Sequence, residues 1–208
     1  ETLNAIEKAK AAAGKSNKDV LVGGLEEKLK ELSKAADQAQ QALDKENNEK
    51  EEFKKAEEKA ELTEDELKVA LKQEIGKGLV TVEKKEDKVI VTVGAGGAFP
   101  SGTAELTPQA RKIMENIAKV NSKGTSNIMV TGHTDNVPLV FGSQYRDNWD
   151  LAAARAASVV QSLENSKVIS PGRLIATSKG ETMPIASNST SSGRSKNRRI
   201  EIEINYGK

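Results

Sequence analysis

Two side chains in the second half of this chain have the types and spacing to hold a ligand by charge. Asp135 follows a strand-like run, Ile128-Met129-Val130-Thr131, within His133-Thr134-Asp135-Asn136-Val137-Pro138. Arg155 falls on a predicted helix that begins near Trp149, one turn after Leu151 and one turn before Val159. Residues four apart share a helix face. Arg155 therefore sits inside an apolar stripe, where a guanidinium needs a partner. A carboxylate and a guanidinium on neighbouring elements can grip a ligand that carries both an ammonium and a carboxylate. The plainer reading of the pair is a structural salt bridge or a cap.

Other chemistries find little support. His133 is the single histidine and there is no cysteine, so neither a disulfide nor a metal set of imidazoles and thiolates can be assembled. No serine lies in a nucleophile-elbow motif that would make His133 and Asp135 a triad, and packing or a loop hydrogen bond is the expected role of His133. Gly94-Ala95-Gly96-Gly97-Ala98 invites a dinucleotide reading, but Pro100 and Gly102 interrupt it and no helix opens within the motif. It reads as a flexible connector. No catalytic residues, metal or cofactor are expected. The 32 basic and 31 acidic residues leave a net charge of +1, which argues against a dedicated nucleic-acid binder.

The elements that position Asp135 and Arg155 follow from periodicity. A chain of 208 residues with 36% hydrophobic and 3% aromatic residues suits one modest aliphatic core plus an appendage. Composition shifts near Gly76, dividing the chain into a helical linker or stalk, 1–76, and a globular domain, 77–208. In the first part Leu25, Leu29, Leu32, Ala36, Ala39 and Leu43 form a short a/d-type stripe, resumed weakly by Phe53 and Ala60. The spacing suits a long charged helix or a dimeric helical stalk. Gly14, Gly23 and Gly24 suggest a break, and Thr63-Glu64-Asp65-Glu66 reads as a capping box that starts a new helix ending at Gly76 and Gly78. If so weakly packed a helix unravelled, its reach would roughly double, from about 1.5 to about 3.3–3.6 Å per residue.

Downstream, residues 79–83 and 88–93 alternate as a hairpin about Lys84-Lys85-Glu86-Asp87. Thr107-Pro108 opens a helix to Ser122, a strand spans 127–134, a helix 149–165, and strands 173–177 and 198–204. The fold class is α/β, specifically an α+β sandwich: a mixed sheet covered by helices, preceded by an extended helical segment. In the last strand Ile200, Ile202 and Ile204 face one way. The alternation sends Arg198 inward to pair inside the fold and puts Arg199 on the polar face; Asn197 and Arg198 read as structural. Arg194, in the loop before it, is the better candidate for a peripheral contact.

These motifs together resemble the OmpA-like peptidoglycan-binding domain. Asn148-x-x-Leu151-x-x-x-Arg155-Ala156-x-x-Val159 matches that family's helix signature, and Gly193-Arg194-Ser195-Lys196-Asn197-Arg198-Arg199-Ile200-Glu201-Ile202 matches its closing strand. The likeness covers roughly residues 98–204, with Ala152 standing where the family usually has Ser. The Asp-Asn-Val-Pro turn, the Asn-Trp-Asp-Leu helix start and the Asn-Arg-Arg-Ile ending look most like the MotB/PomB stator subunits within the family. The resemblance implies a non-enzymatic anchor. Asp135 and Arg155 would hold the diaminopimelate residue of the peptidoglycan stem peptide, with Thr134, Asn148, Leu151 and Arg194 beside them. It further implies a homodimer, a stator A subunit as partner, and a periplasmic location below an inner-membrane segment. No run approaches the ~20 apolar residues that span a bilayer, and Glu1 without Met reads as the start of an excised piece, so such a segment would lie upstream. The alternative is an OmpA- or Pal-type tether to the wall with no motor role.

Overall fold

The computed structural model describes residues 2–207, with side chains given only in part over the first 26. The chain falls into two units, Glu1–Glu51 and Glu52–Lys208. The described residues of the first are all helical, as part of α1 (Thr2–Ala70). Along it Leu25, Leu29, Leu32 and Leu43 are exposed. What supports this stretch locally is helix-former composition and side-chain pairs at i,i+4, such as Glu46 with Lys50 at 2.6 Å and Gln40 with Asp44 at 2.9 Å. Each such pair contributes about 0.2–0.5 kcal/mol.

Two expectations for this helix fail. No break occurs at Gly14 or at Gly23-Gly24; α1 continues through them, because a glycine costs a helix only about 1 kcal/mol relative to alanine. Thr63 does not start a new helix either. Its hydroxyl hydrogen-bonds the Tyr206 hydroxyl, while Glu64 accepts from the Lys84 amide at 2.9 Å and from Lys68 Nζ at 2.9 Å. The residues that mimic a capping box are tertiary contacts within the second unit.

There the end of α1 is part of the core. Ala56, Ala60, Leu67 and Leu71 are buried, at steps of four and seven that keep them on one face. Leu71 leaves helical geometry (φ −110°, ψ 17°), and α2 (Lys72–Gly76) follows. Gly78, at φ +69°, then donates to Ile75 O at 2.9 Å and closes the helix end as the sequence suggests.

The sheet has the order β1-β2-β5-β3-β4, built from β1 (Val80–Lys85), β2 (Lys88–Gly94), β3 (Asn127–His133), β4 (Leu174–Gly180) and β5 (Arg199–Asn205). Only β3 and β4 pair in parallel, joined through α5 (Asn148–Asn165). The expected hairpin is present, with Lys85 opposite Lys88 and Glu86 at φ 55° in the turn. Central strand β5 carries Ile200, Ile202 and Ile204, opposite Val93, Val91 and Val89 on β2 and Gly132, Val130 and Ile128 on β3. These rows bury completely beneath α5 and α4 (Pro108–Val120), whose Ile113, Met114 and Ile117 complete the core. Burying each aliphatic side chain contributes about 1.5–3 kcal/mol. The result is the α+β sandwich expected from the sequence.

Two short helices stand where the sequence suggests loops. Gly94 to Ala98 is not a flexible connector: α3 (Ala95–Ala98) is fixed by the Ala95 amide donating to Arg198 O and the Phe99 amide donating to Ala95 O, both at 2.9 Å. Likewise α6 (Ser191–Asn197) is capped by Thr190, whose hydroxyl accepts from Gly193 N at 3.0 Å, so Arg194 stands on a helix.

Candidate binding site

Asp135 is placed by strand β3 and the turn after it. The Thr134 amide donates to Gly180 O at 2.8 Å, extending the β3–β4 pairing to the threshold of the site. Asp135 Oδ1 then accepts from the Val137 amide at 3.0 Å, an Asx turn that fixes the carboxylate's direction. Asn148 ties the same turn to α5: its Nδ2 lies 3.2 Å from Asp135 O, 3.1 Å from Val137 O and 2.7 Å from Glu181 Oε2. Asp147, rather than a residue nearer Trp149, caps α5 by accepting from Asp150 N at 2.9 Å.

Arg155 reaches the same place because α5 crosses β3 at contact distance. A Cβ added to Gly132 would stand 2.1 Å from Ala152 O, so only glycine allows this approach. One turn beyond Ala152, Arg155 is 4% exposed; its Nε donates to Thr103 O at 2.9 Å, and its guanidinium lies 5.0 Å over the Phe99 ring. Phe99 supplies a cation–π contact that partly replaces water. Burial pulls the Arg155 pKa below its ordinary value, with Arg198 adding to the fall and Tyr145 and Asp135 opposing it. Among the described residues no carboxylate lies within ion-pair distance of Arg155.

Asp135 instead pairs with Arg198, whose Nη1 donates to Oδ2 at 2.6 Å. Here the strand reading errs. Arg198 immediately precedes β5 and escapes its alternation, so it turns to the site instead of the interior. Arg199, placed on the polar face as expected, is itself 3% exposed; its Nε donates to Glu201 Oε1 at 2.7 Å, and its terminal nitrogens lie 3.2 and 3.3 Å from Met183 O. On that face His133 Nε2 stands 3.5 Å from Glu201 Oε2, at the limit of a hydrogen bond, and neither ring nitrogen has a closer polar partner among the described residues. The adjacent His133 and then Arg199 hold the Glu201 carboxyl down to about 2, against its partial burial. Asn197 is structural, its amide bonded to Ile185 N, Ala186 N, Ala186 O and Asn188 Oδ1 at 2.7–2.9 Å.

All six sequence-derived candidates, Thr134, Asp135, Asn148, Leu151, Arg155 and Arg194, line one cavity of about 550 Å³, and Arg198 lines it too. Thr134 Oγ1 is buried without a hydrogen-bond partner among the described residues. The charged lining is one carboxylate and three guanidiniums, with Phe99, Leu151 and the Val137–Val140 loop as apolar walls. Such a cleft can seat a short zwitterionic chain with its ammonium at Asp135 and its carboxylate at Arg155. Sequence reasoning missed Arg198 and Phe99; Arg198 shares the isoleucine phase, and its place just before β5 is what frees it for the site.

Comparison with known proteins places this architecture. Residues 98–198 match the OmpA family. Motility protein B of Bacillus subtilis (strain 168) is 35% identical over 120 residues, 56% of this chain and 44% of that protein, so the chain spans under half its length. The cell wall anchor of the type VI secretion system from Pseudomonas aeruginosa is 31% identical with a TM-score of 0.60, covering 67% of this chain and 96% of that one. The periplasmic domain of Helicobacter pylori MotB is 29% identical with a TM-score of 0.55, covering 61% and 78%. A MotB-like protein from Desulfovibrio vulgaris shares the fold, with a TM-score of 0.68 at 24% identity over 75% of this chain and 96% of that one.

Proposed function

Because the chain belongs to the OmpA family, with a region of MotB type, we propose that it anchors a flagellar stator B subunit to peptidoglycan without covalent attachment. The similar proteins support the broader role, binding to the cell wall; the motor assignment rests on the MotB likeness. The observation that carries the binding reading is Arg155: a guanidinium more than nine-tenths buried, open to the same cavity as Asp135, and without a carboxylate of its own among the described residues. A buried charge is costly unless paired, so the site is completed by a ligand carboxylate.

The amino-acid head of diaminopimelate fits that need. Its carboxylate meets Arg155 and its ammonium meets Asp135, which keeps acceptor capacity beyond the bonds from Arg198 and Val137. The Thr134 hydroxyl offers a further hydrogen bond, Leu151 covers the methylene chain, Arg194 makes a peripheral contact, and Asn148 holds the Asp135 turn in place. The chain acts by holding, not by catalysis. The unit Glu1–Glu51 serves as linker, the protein works as a homodimer beside a stator A subunit, and the globular unit, Glu52–Lys208, lies in the periplasm. No described helix is long and apolar enough to cross a membrane.

Co-sedimentation with diaminopimelate-type sacculi tests the reading. The parent chain sediments with them, while Asp135→Asn and Arg155→Ala, shown to be folded by circular dichroism, stay in the supernatant. Binding retained by a folded Arg155→Ala protein overturns it. The likeness to the secretion-system anchor favours a second reading, a wall tether without a motor. In cells, Arg155→Ala abolishes swimming under the first reading and leaves it unchanged under the second.

A further inference from the structure

The charges around the cavity do not balance. Its lining holds Asp135 against Arg155, Arg194 and Arg198. An amino-acid head, one ammonium and one carboxylate, adds no net charge and leaves the excess standing. Arg155 and Asp135 account for that head. Arg194 and Arg198 remain, one turn apart: the Arg198 amide donates to Arg194 O at 3.0 Å across the end of α6, and both side chains face the cavity. Arg194 uses Nη1 on Asn188 O at 2.9 Å, and Arg198 uses Nη1 on Asp135. Each guanidinium has five N–H donors in a planar fork, so both keep donors for an acceptor placed between them. Both are partly exposed, which leaves them open to a ligand, whereas Arg155 is enclosed. The orphaned Thr134 hydroxyl in the same lining, 4% exposed, is an independent sign that the cavity is shaped for a polar ligand.

We propose that the cavity selects its ligand by a second carboxylate: Arg194 and Arg198 bind a free carboxylate beyond the amino-acid head, and stem peptides in which that group is a carboxamide are rejected. The inference rests on the peptidoglycan reading and specifies which chemical form of the wall is bound. Amidation removes the charge and puts N–H donors against guanidinium N–H donors. A stem peptide offers two sources for the second carboxylate, the isoglutamate α-carboxylate and, where the stem ends at diaminopimelate, the far carboxylate of that residue.

The test is calorimetric titration of the whole chain with three soluble tripeptides, L-Ala-γ-D-Glu-diaminopimelate with both groups free, with the isoglutamate amidated, or with the far diaminopimelate carboxylate amidated. The fully free peptide binds, and one of the two amidated forms binds about 10- to 100-fold more weakly, as expected for loss of a charged hydrogen-bond partner; the weakened form identifies the source. Arg194→Gln weakens the free peptide and shrinks the discrimination, while Arg198→Lys, which keeps a cation beside Asp135, retains much of it. Equal affinity for all three peptides overturns this inference and leaves the peptidoglycan reading intact, as does undiminished discrimination in Arg194→Gln. Binding of none of the three by the parent chain overturns both.

Discussion

Leu29 and Leu67 stand on one helix, α1, amid similar Ala, Glu and Lys neighbours, yet Leu29 is 73% exposed and Leu67 is 0% exposed. In the unit Glu1–Glu51 the helix is supported by propensity and by pairs one turn apart. In the unit Glu52–Lys208 the same kind of helix is one wall of a core shared with the valines of β1 and β2. Helix formation is a local equilibrium, while burial needs a partner surface. Spaced leucines therefore announce a helix in both regions but a core in only one.

Glycine draws the contrast most sharply. Gly132→Ala should prevent the second unit from folding, because the new Cβ lands on Ala152 O, and it should erase the cooperative thermal transition. Gly14→Ala meets nothing within 4 Å and should raise helicity, with a gain of about 1 kcal/mol in the local helix equilibrium, read by circular dichroism. A cooperative transition kept by Gly132→Ala would mean that β3 and α5 can separate without loss.

Truncating the leucines gives the next largest difference. Leu67→Ala should lower stability in urea by about 2–5 kcal/mol, while Leu29→Ala should stay within about 0.5 kcal/mol. Equal effects would show that Leu29 is covered in solution, as the alternative of a dimeric stalk requires.

Charge gives the smallest. Glu201, held near 2 by His133 and Arg199 against an ordinary 4.5, contributes stability that is fully present above the higher value and is lost as pH falls from about 4.5 toward 2. Glu201→Gln should remove that part of the acid dependence. Glu46→Gln, which breaks an exposed pair with Lys50, should shift helicity by only a few tenths of a kcal/mol, an effect that fades in salt. An acid-unfolding profile unchanged in Glu201→Gln would show that the carboxylate is not held down in the fold.

Most elements of the second unit were legible because their signals are local: the Thr107-Pro108 start of α4, the hairpin alternation, the isoleucine triplet of β5. The failures also have local causes. Thr63 and Glu66 have the spacing of a capping box, but the helix turn before Thr63 is already in place, so its hydroxyl is free for Tyr206. The α3 and α6 turns are too short to show periodicity and are held by contacts to Arg198 and by the Thr190 cap.

The sequence alone determined which residues are brought to the cavity. Asp135 sits where a strand ends, and Arg155 sits on a helix face set by its distance from Leu151 and Val159; both follow from backbone periods of two and 3.6 residues. The tertiary structure decided the pairings. Whether Asp135 meets Arg155 or Arg198, and whether Arg155 finds a carboxylate at all, depends on the angle at which α5 crosses β3 over Gly132 and on how the chain enters β5. Those are distances between elements far apart in sequence, which periodicity does not encode. That geometry leaves Arg155 with a carbonyl and an aromatic ring in place of a counter-ion, and the site open to a ligand.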